Sequence, residues 1–300
     1  MKQLCRTAFL DFLQFSALAE RHVFEIAAVA LSAKSVVRVV VAVEHIEACS
    51  ERLRALGLHV AWPTRALAID KETSLGDRYC RHVPFGDPAA VEAALLASQD
   101  PSLAEEGRHI DENGSVQQIG ELYGYPPCCV SQYEKIEENP DWVGSLLLDH
   151  WRRGGRPPAV SNKLAYLFSG NSFLPDYFPC SLHCHPSEAL ANRMREAALM
   201  AGLSRLVLDT EREVCRPIIV YAGSLLRPRS HWHEGGSIRF AAGNLDVFPW
   251  REQVESALLE KAAGARFDAG SLVLCDSNGA DFARDRDGGV VEFEALRDAR

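Results

Sequence analysis

Two short stretches constrain this chain more than any other feature: Gly124-Tyr125-Pro126-Pro127-Cys128-Cys129 and Phe178-Pro179-Cys180-Ser181-Leu182-His183-Cys184-His185-Pro186. They hold four of the nine cysteines and two of the ten histidines. Thiolate and imidazole are soft and borderline metal ligands, and thiolate is also a nucleophile and a redox group. Prolines and a glycine fix the backbone around both. A fold that brings the two stretches together contains a chemical site; a fold that separates them contains only scattered thiols.

Pro127 suits the first position of a helix, where no donor is needed. Cys128 and Cys129 then lie in its first turn, where free N–H groups and the positive end of the dipole favour thiolate. Adjacent helical side chains diverge by about 100°, so the two are not expected to grip one small ion. One ligates, while the other packs, meets a second metal or attacks a substrate. Cys180 and Cys184 are spaced i, i+4 and face the same way on a helical turn, with His183 beside them. One thiolate from the pair, these two thiolates and an imidazole make a tetrahedral zinc set. Three thiolates with an open position suit an iron–sulfur cluster equally. The metal-ligand candidates are therefore Cys128, Cys129, Cys180, Cys184, His183 and His185, and Cys128 and Cys129 are also the candidate catalytic thiols. There is no C-x2-C spacing of a zinc ribbon, and Ser187 stands where a C-x3-C-x2-C run would place its third cysteine. Iron–sulfur cluster or zinc stays open. Two readings stand beside the metal site: a metal-free reactive thiol pair, including a vicinal disulfide, and structural cysteines without chemistry.

The net charge of -9 argues against a dedicated nucleic-acid binder. The apolar stretch 8–33 is interrupted by Asp11, Glu20, Arg21 and Glu25, which excludes a membrane span of about 20 uncharged residues there and a secretory signal. A cytoplasmic location is expected, and with it free thiols rather than disulfides. The single cysteines Cys5, Cys49, Cys80, Cys215 and Cys275 read as small buried hydrophobes.

The pattern along the chain is mixed α/β (α+β): an N-terminal β-α-β region over 1–110, a helical cysteine-bearing centre over 111–205 and a strand-rich region over 206–300. Residues 9–31 have helical apolar spacing, 36–43 form a β-branched strand, 44–56 an amphipathic helix closed by Gly57, and 58–62 a second strand, with 66–69 as another. A parallel pairing with a right-handed crossover satisfies that unit. It lacks a glycine-rich phosphate loop. Helices are expected at 88–96, 116–122, 127–138, 142–151, 187–200 (with Ser187 as N-cap and Gly202 past its end) and 257–263; the polar stretch 98–115 reads as a loop. Strands are expected at 217–221, 237–240, 271–274 and 290–293, with Asp287-Gly288-Gly289 as a hairpin turn joining 282–284 to 290–292.

Asn162-Lys163 and Ser169-Gly170-Asn171-Ser172 lead into the second stretch and read first as loop caps, then as groups that orient ligands or a polar substrate. His231-Trp232-His233 places two imidazoles on one side if extended, a weak metal signal. Arg227-Pro228-Arg229 reads as a solvated loop before an anion site. No Gly-x-Ser-x-Gly elbow or His-Glu-x-x-His motif occurs.

The string Gly120-Glu121-Leu122-Tyr123-Gly124-Tyr125-Pro126-Pro127-Cys128-Cys129-Val130, with the later Phe178-Pro179-Cys180 and Cys184, resembles an uncharacterised prokaryotic family, domain of unknown function 483. The resemblance runs over about 36–200. It implies a shared pattern at Cys128, Cys129, Cys180 and Cys184, and supplies neither substrate nor metal.

The leading expectation is a cytoplasmic metal- or iron–sulfur-dependent enzyme acting on a small-molecule substrate, with no nucleic-acid or membrane partner. The alternatives are a metal-free thiol oxidoreductase using Cys128 and Cys129, and a zinc-stabilised interaction module without catalysis.

Overall fold

A computed structural model describes residues 22–62, 67–68, 79–97, 116–138, 142–169, 172–174, 177–234, 237–249, 256–268, 271–285 and 289–294. In chain order the helices are α1 (Val23–Ala30), α2 (Ile46–Ala55), α3 (Pro88–Ala97), α4 (Val116–Leu122), α5 (Pro127–Glu138), α6 (Trp142–Arg153), α7 (Tyr166–Ser169), α8 (His185–Met200), α9 (Ser204–Val214) and α10 (Ser256–Lys261). The strands are β1 (Val36–Ala42), β2 (His59–Val60), β3 (Leu67–Ala68), β4 (Tyr79–Gly86), β5 (Ile218–Tyr221), β6 (Ser224–Pro228), β7 (Trp232–Glu234), β8 (Ser237–Arg239), β9 (Leu245–Pro249), β10 (Gly264–Asp268), β11 (Ser271–Cys275), β12 (Asp281–Asp285) and β13 (Gly289–Val291). The fold is mixed α/β with antiparallel sheets. No described helix is long and apolar enough to cross a membrane.

The chain forms two compact units. The first comprises Met1–Asp141, Phe173–Cys180 and Cys184–Leu208, the second Trp142–Ser172, Ser181–His183 and Asp209–Arg300.

In the first unit, the β-branched run of β1 is buried at Val36, Val37, Val39 and Val41, as a strand covered on both faces requires. Its partner is β4, antiparallel from Val36↔Gly86 to Ala42↔Cys80. The short β2 also runs antiparallel to β4, on its other edge. The β1-α2-β2 unit is therefore split: its two strands share a direction but do not pair, because β4 lies between them. This corrects the direct parallel pairing expected above. Gly57, at φ +80°, ends α2 as anticipated, and the Leu58 N–H reaches back to the Leu53 carbonyl. Val36 of β1, Val91 and Ala94 of α3, and Tyr123 just past α4 are buried together.

Helix α1 packs on α8, and Phe24 meets Phe173 edge to face at 5.1 Å. A charged group is buried beside that contact. Glu25 is fully buried and accepts from His22 at 3.1 Å, with the Lys34 ammonium 3.9 Å away. The same ammonium lies over the Tyr125 ring at 4.9 Å.

In the second unit, β12-β11-β10-β8-β7 and β13-β5-β6-β9 form two sheets. Their apolar residues, including Ile219, Leu226, Phe240, Leu272 and Leu274, make one core. Strand β12 pairs with β11 and β13 with β5. The hairpin expected between 282–284 and 290–292 is therefore replaced by a crossing from one sheet to the other. Arg227 on β6 is buried, paired with Glu213 at 2.9 Å and Asp246 at 3.5 Å, and lies over the Phe168 ring. The pairing and the stacking offset part of its desolvation, but burial and the neighbouring Arg216 charge still hold the guanidinium below its usual value.

A candidate four-sulfur metal centre

The first cysteine stretch is positioned by the end of α4. Gly124, at φ +70°, closes that helix: its N–H bonds the Glu121 carbonyl at 3.0 Å and the Tyr125 N–H bonds Gly120 at 2.8 Å. The chain then enters α5 through Pro126 and Pro127, neither of which has an N–H to satisfy. Cys129 N–H and Val130 N–H both bond the Pro126 carbonyl, at 2.8 and 3.1 Å, so Cys128 and Cys129 occupy the first turn as expected. Helices α4 and α5 touch at Gly120, where an added Cβ would overlap the Val130 side chain. The Tyr125 ring stacks between Tyr123 and Tyr177, with centroids 6.0 and 4.8 Å apart.

The second stretch differs from its expected form. Cys180 lies in a turn, and Cys184 is the N-cap of α8, extended at φ -72° and ψ 101°. The helix starts at His185, two residues before the expected Ser187, with Pro186 in its first turn. Ser187 is instead the third helical residue. Its hydroxyl reaches back to donate to the Cys184 sulfur at 3.2 Å, and the Glu188 N–H bonds the Cys184 carbonyl at 2.9 Å. The N-terminal ends of α5 and α8 thus both carry cysteines of the group, and both present positive dipole ends that favour thiolate.

The four sulfurs converge. Cys128 Sγ is 3.9 Å from Cys129 Sγ and 3.7 Å from Cys184 Sγ, Cys129 Sγ is 3.5 Å from Cys184 Sγ, and all four, Cys180 included, lie within 4.8 Å of one another. Around one ion with metal–sulfur bonds of about 2.3 Å, a regular tetrahedron has edges of about 3.8 Å. The group could therefore hold a metal ion. Both members of the Cys128–Cys129 pair belong to it, against the expectation that adjacent helical cysteines diverge too far.

Polar hydrogens are aimed at the buried sulfurs. The Cys180 N–H donates to Cys129 Sγ at 3.3 Å, and Ser187 Oγ lies 3.1 Å from the same sulfur. The close approach of the sulfurs shifts their titrations against one another. Hydrogen bonds from Cys129 and then Cys180 hold the Cys184 thiol far below its usual range, against the effect of burial. Hydrogen bonding to Cys129 and Cys184, and then burial, push Cys180 far up. Cys129 is pushed up to about 12; the Cys180 thiol pulls it down, but Cys184 and burial outweigh that. A divalent ion would displace the protons of these thiols, because each ligating sulfur binds as thiolate. The Tyr177 phenol stands well above its usual range through burial, with Ser187 opposing and the charges of Cys129, Cys184 and Cys128 adding to it.

The expected imidazoles have other partners. His183 Nε2 lies 3.4 Å from His150 Nδ1 with the rings stacked at 7°, and burial followed by the His183 charge pulls His150 below its usual value. His185 is exposed and pairs with Glu188 at 3.3 Å. Among the described residues, the mutually close donor atoms at this centre are four sulfurs, without an imidazole. Asn162 caps a short 3-10 turn, accepting from the Ala165 N–H and donating to the Val214 carbonyl, which is the loop-capping role. Gly170 and Asn171 lie outside the described residues. His231 and His233 sit 5.8 Å apart with their rings nearly perpendicular, and His233 faces Glu292 at 3.7 Å. Of the single cysteines, Cys49 and Cys275 are buried; burial, partly offset by Arg52, pushes Cys49 up to about 12. Cys5 is outside the described residues.

No family model, no curated protein and no solved structure matches this chain.

Proposed function

We propose that the chain binds a single zinc ion through Cys128, Cys129, Cys180 and Cys184, and that this ion ties α5 to the segments carrying Cys180 and Cys184. The observation that carries this reading is the compactness of the group, with all sulfurs within 4.8 Å of one another. An iron–sulfur cluster places different irons beneath different cysteines and spreads their sulfurs well beyond the edge of one tetrahedron. Four sulfurs with no imidazole make a closed, all-thiolate set, the usual form of a structural zinc site. Iron alone would fit the same cage. The resemblance to domain of unknown function 483 is consistent with this reading, since the four shared cysteines are the four ligands. So is a reducing, cytoplasmic setting, in which adjacent thiols persist.

The test is metal content by mass spectrometry on anaerobically purified protein. About one zinc per chain is expected for the wild type and for Cys215→Ser, and none for Cys180→Ser or Cys184→Ser. Several irons with acid-labile sulfide would favour a cluster. A metal-free wild type that also fails to take up added zinc would favour the thiol-pair reading.

A further inference from the structure

The four sulfurs are not equivalent. Cys129 and Cys184 are buried, at 2% and 6% exposure, and each has a polar hydrogen beside it: the Cys180 N–H for Cys129, and for Cys184 the Ser187 hydroxyl, whose oxygen also lies 3.1 Å from Cys129 Sγ. Cys180 is half-buried. Cys128 alone of the four is exposed, and its hydrogen-bond contacts among the described residues are the sulfurs of Cys129 and Cys184.

We infer that Cys128 is the reactive ligand of this centre, a metal-activated thiolate that captures soft carbon electrophiles while Cys129, Cys180 and Cys184 keep the metal. The inference rests on the proposed four-cysteine site and assigns it an activity. A thiolate bound to zinc carries no proton at neutral pH, so it needs no base to become a nucleophile. Four thiolates on a divalent ion leave a net charge of two minus, which keeps the sulfurs electron-rich. Hydrogen bonds to a thiolate stabilise its charge and lower its nucleophilicity. They do so at Cys129 and Cys184 and leave Cys128 unquenched, on the open side of the cage. In the step, the Cys128 sulfur attacks the electrophilic carbon. The S–C bond forms as the bond from carbon to its leaving group breaks, and the leaving group departs with that electron pair. No oxidant, reductant or proton is required. The product is a thioether at Cys128, a weaker ligand than the thiolate it replaces.

Iodoacetamide, whose leaving group is iodide, is a suitable probe on the zinc-loaded full chain at limiting reagent. Peptide mapping should place the first adduct on Cys128, at least about tenfold faster than on Cys129 or Cys184, and native mass spectrometry should find that singly modified chain still holding zinc. Cys128→Ser should retain zinc at reduced affinity and lose the fast phase, whereas Cys129→Ser should lose stoichiometric zinc. A first adduct spread evenly over the four sulfurs, a first adduct on another of them, or release of zinc with the first adduct overturns the inference while leaving the four-cysteine site standing. A wild type that takes up no zinc overturns the site, and this inference with it.

Discussion

Cys129 and Cys184 are 55 residues apart in sequence, yet their sulfurs lie 3.5 Å apart, both buried, with one serine hydroxyl within reach of the two. Each is held by the start of a helix. A metal shared across that gap stabilises only the folded chain, because the unfolded chain does not keep the four thiols together.

Chelation should therefore destabilise the wild type. At free zinc about 1,000 times the dissociation constant, binding adds about 4 kcal/mol to folding. Thermal unfolding with and without a strong chelator should show a fall in Tm for the wild type. Cys129→Ser should start lower and be indifferent to the chelator. A wild-type Tm unaffected by chelation would detach stability from metal.

Gly120 transmits packing into the site. Gly120→Ala drives a methyl into Val130, one residue beyond the cysteine pair, at an expected cost of about 1–3 kcal/mol. Zinc affinity, followed by competition with a chromogenic chelator, should fall as α5 shifts. Val130→Ala in the same chain should restore part of both losses. Full affinity in Gly120→Ala would show that the ligands tolerate movement of α5.

Lys34 and Glu25 are buried neighbours, 3.9 Å apart. Lys34→Met leaves Glu25 without its ammonium neighbour and removes the cation from the Tyr125 face. Breaking a buried pair from one side costs about 3–5 kcal/mol. Glu25→Gln added to Lys34→Met should cost less than the sum of the two single changes in urea unfolding. Simple additivity would mean the two groups do not sense each other.

Asp246 gives the fold an acid limit. Burial raises its pKa, but hydrogen bonding from Arg229 and the charges of Arg216, Arg227 and Arg229 outweigh that and hold it below the usual carboxylate value. Its folded pKa thus lies below its unfolded one of about 3.9. The stability it contributes is complete above that unfolded value and drains away as pH falls through the folded value. Between pH 7 and pH 3 the wild type should lose more stability than Asp246→Asn, which lacks this linkage. Equal losses would place the acid sensitivity elsewhere.

The helices that build the site were legible because local rules fix them. Gly124 closes α4 and Pro127 opens α5, and both ends fall where the sequence puts them. The start of α8 was misplaced because serine is the commoner N-cap. Pro186, which belongs in a first turn, pointed to Cys184 instead. The convergence of all four sulfurs was half legible: helical spacing alone separates Cys128 from Cys129 and leaves their rotamers free. Strand β4 was missed because Pro84 and the charged Arg81 interrupt its apolar run, and β6 because it carries the buried Arg227. The split pairing around β4 and the separation of β12 from β13 depend on contacts distant in sequence, which local patterns do not encode.

X-ray absorption at the zinc edge of the purified wild type tests the four-sulfur centre most directly. The expected spectrum is a single shell of four sulfurs at about 2.3 Å, with no nitrogen or oxygen ligand and no second metal in the near shells. A mixed sulfur–nitrogen shell would return an imidazole to the site, and metal–metal scattering, in zinc- or iron-loaded protein, would replace the single ion with a cluster.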